Sequence, residues 1–306
     1  MRATSCRATA RQAIAAAGIA GALALALAAC GGGNALRSAP PVTSRPPSAS
    51  MPSQPSSATP MPSMSGMPAG NGLASRHNGY TLSSDTTTLP AGKAAIYRFT
   101  ITGPDGRPVT DFALSQTKRL HLYAIRSDLT GFQHVHPTMA GGGTWTTHLA
   151  TLQPGSWRLF TQFTPADGPG KGQDFVLSRT VTVPGRAVTS PLPAPSSTTM
   201  VDGYTLTLRG DLKASTTNPL TVTVRKSGTP VTDLQPYLGT YAHLTAFHQG
   251  DTAFRPPPPT DQGHRRPRRA NPELHDRPAA SGNWRLYLQV QTAGTLHTAA
   301  VTLHVN

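Results

Sequence analysis

The chain repeats itself, and the repeat limits what it can fold into. "GYTL" stands at residues 79–82 and again at 203–206, and "PVTDF" at 108–112 returns as "PVTDL" at 230–234. "HLYAI" at 121–125 answers "HLTAF" at 243–247, and "GSWRLFTQF" at 155–163 answers "GNWRLYLQV" at 282–290. Matches that keep their order mean two copies of one unit. Within the copies, "AIYRFTI", "LTVTVR" and "WRLYLQV" alternate apolar and polar residues with the period of a strand, and "GPDG", "KSG" and "PG" punctuate them as turns. Gly and Pro are abundant, 29 and 30 among 306 residues, which suits short strands joined by many turns. The pattern predicts an all-β chain: two tandem immunoglobulin-like β-sandwiches of about a hundred residues each. They are expected at 77–185 and 201–306, joined by a connector at 186–200.

Two segments precede the repeat. Residues 1–29 read as a lipoprotein signal peptide, because Arg2, Arg7 and Arg11 form a positive start, an Ala/Leu stretch follows and "LAAC" closes it at Cys30. That apolar stretch is shorter than a membrane span needs. "LAAC" resembles a bacterial lipobox, which predicts a diacylglyceryl thioether on Cys30 and cleavage before it. The acyl chains would then anchor the protein on the extracytoplasmic face of the cell membrane. Processing removes Cys6 and leaves Cys30 as the single cysteine, so both domains are expected to stand on apolar burial without a disulfide. The formal charge of +14 falls by three once Arg2, Arg7 and Arg11 are gone. A basic surface suits anionic envelope polymers or lipid head groups, and no aromatic-interleaved basic motif points to nucleic acid.

Residues 30–76 are rich in Pro, Ser and Met and are expected to form a disordered linker. Within it "MPSMSGMP" places Met61, Met64 and Met67 three apart. Thioethers are soft Cu(I) ligands, although methionine in low-complexity sequence is often incidental.

The residues most able to do chemistry sit in the first copy. "HLYAIRSDLTGFQHVHP" reads as two strands around an "RSDLTG" turn. A hairpin closing symmetrically about that turn pairs Tyr123 with His134 and His121 with His136, and the two-residue period of a strand then sets all three histidines on one face. Opposed Cβ atoms stand roughly 5 Å apart, so three imidazoles can converge on one copper or zinc ion. A register slip of one residue would send His121 to the other face, and the bland alternative is a polar, solvated sheet face. His148, His297 and His304 read as isolated surface histidines.

"DLTGFQHVHP" together with "WRLFTQF" resembles a group of secreted or lipid-anchored proteins of high-GC Gram-positive bacteria in which tandem immunoglobulin-like domains carry HxHP hairpins. That group is described as heavy-metal-binding, and it resembles YtkA-like and CopC-like copper-handling modules more distantly. The resemblance covers about residues 79–306. It implies an extracytoplasmic fold, copper or zinc at His121, His134 and His136, and no catalysis.

The second copy departs from that pattern. Aligned without gaps from His243, "TAFRPPPP" falls on "TGFQHVHP", so Pro256 and Pro258 stand where the first copy has His134 and His136. Prolines cannot donate ladder hydrogen bonds, so 255–278 is expected to be irregular, with pairing resuming near Trp284. One explanation is a compensated frameshift, since codons for Arg-Pro-Pro-Pro-Pro read one base later can spell Ala-His-Leu-His-Pro; the other is a genuine Pro/Arg-rich loop. Two functions fit the chain as a whole: a lipid-anchored metal-binding protein, or an interaction module of the cell envelope that binds other envelope proteins or polymers. No catalytic constellation recurs at plausible spacing, so an enzyme is not expected.

Overall fold

The computed structural model describes residues 71–255, 272–276 and 278–306. Cys30, Met61, Met64, Met67, Pro256 and Pro258 lie outside the described residues. The first domain runs β1 (Arg76–His77), β2 (Tyr80–Ser83), β3 (Ala95–Thr102), β4 (Leu120–Arg126), β5 (Gln133–Val135), β6 (Thr138–Met139), β7 (Thr144–Leu149), β8 (Gly155–Phe163) and β9 (Phe175–Val183). These strands make two sheets, ordered β1-β2-β3-β7-β6 and β5-β4-β8-β9, with all named pairs antiparallel.

The second domain repeats the plan with β10 (Thr198–Val201), β11 (Tyr204–Arg209), β12 (Asn218–Lys226), β13 (Thr229–Pro230), β14 (His243–His248), β15 (Phe254–Arg255), β16 (Glu273–Asp276), β17 (Gly282–Thr292) and β18 (Thr295–Val305). Its sheets are β10-β11-β12-β13, with β16 also on β12, and β15-β14-β17-β18. Splitting consecutive strands between two sheets in this way is the immunoglobulin-like arrangement, and it appears twice.

Alternation builds each core. β3 buries every second residue, placing Ala95, Tyr97, Phe99 and Ile101 inward against Leu149, Trp157, Leu159 and Phe163. In the second domain Leu220, Val222 and Val224 of β12 meet Trp284, Leu286 and Leu288 of β17. β4 and β14 break this rule, because nearly every residue in each is buried. A strand buried on both faces lies between two layers. The second layer is the other domain: Tyr123, Ile125, Phe160 and Val176 of the first sandwich form a third apolar cluster with Phe247, Phe254 and Tyr287 of the second. Tyr287 adds a directed contact across that boundary, donating its hydroxyl to the Leu129 carbonyl at 2.7 Å. The two four-stranded sheets therefore pack face to face.

Three expectations need correction. Residues 74–76, read as the end of a disordered linker, belong to the first sandwich: Arg76 opens β1 opposite Thr81, and the Ala74 and Ser75 carbonyls accept from Ser178 and Leu82 at 2.9 and 2.8 Å, because the segment runs along the edges of β2 and β9. β10 begins at Thr198, inside the stretch read as connector, because residues 198–201 pair with β11 from Thr198↔Thr207 to Val201↔Tyr204. Pairing also resumes earlier than Trp284, since β16 joins β12 from Thr221↔Glu273 to Asn218↔Asp276. The physical reason is coverage: the sandwich needs a strand where the first domain has β7, and Leu274 supplies a buried apolar residue opposite Leu220. Residues 256–271, which hold the rest of the Pro/Arg segment, lie outside the described residues.

Candidate metal centre

The turn at 126–131 sets the register of the histidine hairpin. Arg126 grips Asp128 with two guanidinium bonds, Nε to Oδ1 at 2.9 Å and Nη2 to Oδ2 at 2.6 Å. Asp128 Oδ1 accepts from the Thr130 backbone and hydroxyl at 3.2 and 2.7 Å, which closes the loop as an Asx turn. Leu129 is left-handed, with φ of 60°, and its buried side chain sits in the apolar cluster between the domains. Gly131 is required, because a Cβ there would stand 2.3 Å from the Trp157 ring. The strands then pair as Leu122↔Val135, Tyr123↔His134 and Ala124↔Gln133.

That register brings His121, His134 and His136 to one face, with one ligand nitrogen of each lying within 4.8 Å of the others. Ring centroids are 5.3 Å apart for His121 and His134, 5.1 Å for His121 and His136, and 4.8 Å for His134 and His136. The second sandwich lies on part of this face: His121 is 1% exposed, and His134 and His136 are half-buried. His134 lies between the Tyr123 ring at 4.3 Å and the His243 ring at 4.8 Å. Tyr123 is itself fixed by donating its hydroxyl to Gln162 Oε1 at 3.2 Å.

The hydrogen bonds assign the tautomers. His121 Nε2 contacts the Ser115 carbonyl at 3.0 Å. A carbonyl only accepts, so Nε2 carries the proton and Nδ1 of the neutral ring is bare. His134 Nδ1 contacts Gln289 Oε1 at 2.8 Å, and Gln289 Nε2 contacts Thr298 Oγ1 at 3.3 Å. With the amide so placed, His134 Nδ1 donates and its Nε2 is bare. In this arrangement His121 Nδ1 and His134 Nε2 face each other at 3.1 Å as the bare nitrogens of two neutral rings.

Protonating either ring is disfavoured. Burial lowers the pKa of His121, with Lys118 adding to the effect against an opposing bond to Ser115. Burial also holds His134 well below its ordinary value, reinforced by His243 and His121. His136 is lowered to about 4 and His243 to about 3, each by burial first and then by neighbouring charge. At neutral pH this is a cluster of neutral imidazoles, two of which direct lone pairs at one point.

Comparison with known proteins gives a family. A family described as "Domain of unknown function (DUF8832)" matches residues 75–183 and again 198–306. The chain belongs to that family. No curated protein matches. Among solved structures, the chain is similar to the Escherichia coli adhesin FdeC at 16% identity, covering 76% of this chain and 65% of that one, with a TM-score of 0.24. It is similar to the fibronectin(III)-like modules of Clostridium thermocellum CbhA at 12% identity, covering 74% and 92%, with a TM-score of 0.20. It also resembles the Ig1-2 module of the Drosophila receptor protein tyrosine phosphatase DLAR at 9% identity, covering 74% and 98%, with a TM-score of 0.19. The chain spans 65% of the adhesin chain and 15% of a Salmonella alpha-2-macroglobulin that it also matches. Scores this low carry no argument about function. Neither the family description nor these names mentions a metal, so the likeness to heavy-metal-binding proteins rests on the hairpin sequence.

Sequence reasoning missed the share of the second domain. His243, Tyr237 and Gln289 all border the cluster, with the Tyr237 ring edge-on to His134 at 6.3 Å and to His243 at 6.2 Å. The available signal was "HLTAF", whose unbroken burial-prone run matches "HLYAI".

His297 also needs correction, since it is 6% exposed rather than a surface residue. It lies on the inward-facing side of β18 with Ala299 and Val301, beneath the Tyr204 ring at 4.6 Å. Its Nδ1 donates to Asp202 Oδ2 at 2.8 Å, so its Nε2 accepts from Thr292 Oγ1 at 2.9 Å. This Asp-His-Thr order imitates a catalytic triad, but the hydroxyl belongs to a residue only 4% exposed and is already donated, so it reads as a closed structural network. His148 is exposed, and His304 Nδ1 bonds the Asn283 side-chain oxygen at 2.9 Å.

Proposed function

We propose that this chain is a non-catalytic, extracytoplasmic metal-binding protein. It is held to the membrane by a lipid on Cys30 and takes one zinc or copper ion at His121, His134 and His136. The facing pair of bare nitrogens carries the reading. Two neutral imidazoles with lone pairs at 3.1 Å repel each other unless a cation sits between or beside them. The spacing fits a shared ion, since two nitrogens about 2.0–2.1 Å from one zinc stand roughly 3.3 Å apart at a tetrahedral angle. The outer nitrogens also behave as those of ligating histidines do, each donating to an oxygen that fixes ring and tautomer: His121 to Ser115 and His134 to Gln289. Imidazole donors favour zinc or copper over magnesium or calcium, which take oxygen ligands. Because the rings are already neutral, an ion would displace few protons at pH 7.

The test is a titration of the full chain with Zn(II) and with Cu(II), in wild type and in His134→Ala/His136→Ala. One tight ion in the wild type and none in the double variant is expected. Retained stoichiometry in the variant would move the ion from the hairpin to Met61, Met64 and Met67, and no binding by the wild type would leave an interaction module of the envelope without a metal role.

A further inference from the structure

We infer that the metal centre belongs to both domains. His243 of the second sandwich is the fourth ligand, and ion binding clamps the two sandwiches together. This rests on the metal-binding reading above.

His243 opens β14 at the position that matches His121 in the repeat, and it is 3% exposed. Among the described residues its Nε2 is buried without a hydrogen-bond partner, and so is Nε2 of His136. A buried imidazole nitrogen left unpaired is costly, and two at one cluster point to a shared partner outside the chain, an ion that takes the lone pair of each. His243 stacks on His134 with ring centroids 4.8 Å apart and planes 23° apart, and lies 6.4 Å from His121. A stacked ring sets its nitrogen beside the ion rather than on it, so ligation requires His243 to turn about its Cβ–Cγ bond. That torsion is soft, and the unpartnered nitrogen gives up no hydrogen bond by turning.

A second group from the same domain already serves the site. Gln289 pairs with His243 across β14 and β17, yet its side-chain oxygen reaches over the domain boundary to accept from His134 Nδ1. Gln289 is therefore a positioning residue for a ligand of the other sandwich. Gln162, its counterpart in the repeat, stays within its own domain on Tyr123. The contribution runs from the second domain to the first, and an ion held by His121, His134, His136 and His243 would cross-link the two four-stranded sheets.

The test uses the full chain with Zn(II), comparing wild type with His243→Phe, which keeps an aromatic ring on His134 but cannot coordinate. Zinc affinity by competition should fall at least tenfold in the variant, with the three remaining histidines still binding. Hydrogen exchange adds a readout that a packing role would not move: zinc should slow exchange in β14 and β17 as well as in the hairpin in wild type, but only in the hairpin in His243→Phe. Equal affinity in both proteins, or zinc protection confined to the hairpin in wild type, overturns the clamp and leaves the three-histidine site standing. Absence of zinc binding in wild type overturns both.

Discussion

Acid should unfold this protein through its buried histidines before its carboxylates matter. His243 is 3% exposed, and burial together with His121 and His136 lowers its pKa from 6.5 to about 3. Between those values the unfolded chain holds a proton that the folded chain refuses, so stability is full above about pH 6.5 and falls as the pH drops toward 3. At pH 5 the imidazole is almost fully charged in the unfolded chain and neutral in the fold, a difference of about 2 kcal/mol from this one group. His136 is lowered for the same reason, to about 4, and adds to the effect. Asp128 and Asp251 do not obscure the window, because their hydrogen bonds and ion pairs outweigh burial and lower their carboxyl pKa, so their contribution is lost only further into acid. The assay is urea unfolding of the metal-free chain at pH 7.5 and at pH 5.0, followed by tryptophan fluorescence. With a denaturant slope of about 1–3 kcal/mol per molar, the midpoint should drop by roughly 1 M, and by less in His243→Phe. Equal midpoints at the two pH values, or a drop undiminished in the variant, would refute the claim that His243 is held neutral by the fold.

Two further outcomes follow from the same geometry. Gln289→Leu removes the acceptor that fixes the His134 tautomer, so zinc affinity should fall about 10–100-fold while the hairpin stays folded, as read by competition titration and circular dichroism. Phe254 is 1% exposed and lies 4.8 Å from Tyr123, 4.9 Å from Phe160 and 5.4 Å from Phe247, so Phe254→Ala should cost about 3–5 kcal/mol and loosen the domains, as read by urea unfolding and small-angle scattering.

The repeat made the fold legible, because "GYTL", "HLYAI" and "WRLFTQF" mark corresponding strands whichever way the rest of the chain turns. The hairpin was legible too, since "RSDLTG" closes it with Tyr123 opposite His134. What alternation could not show was a partner for the outer face. A strand covered by its own core on one side and by another domain on the other gives no periodic signal, and β4 and β14 are of that kind. His243 was passed over for the same reason: its ring meets the cluster only after the sheets have packed. His297 misled in the opposite direction, because a lone histidine with no partner in its own segment reads as exposed until Asp202 and Thr292 are brought beside it. β16 was hidden by the prolines and arginines that flank it in the sequence, although Leu274 gives it a buried apolar residue opposite Leu220.

The central claim is that two bare imidazole nitrogens await an ion, and nitrogen-15 NMR of the histidine side chains observes them. In the metal-free full chain at pH 7.5, His121 should carry its proton on Nε2 and His134 on Nδ1. Adding Zn(II) should shift His121 Nδ1 and His134 Nε2 while leaving those two protonated nitrogens in place. A doubly protonated ring at either residue, or nitrogen signals unmoved by zinc, would contradict the account.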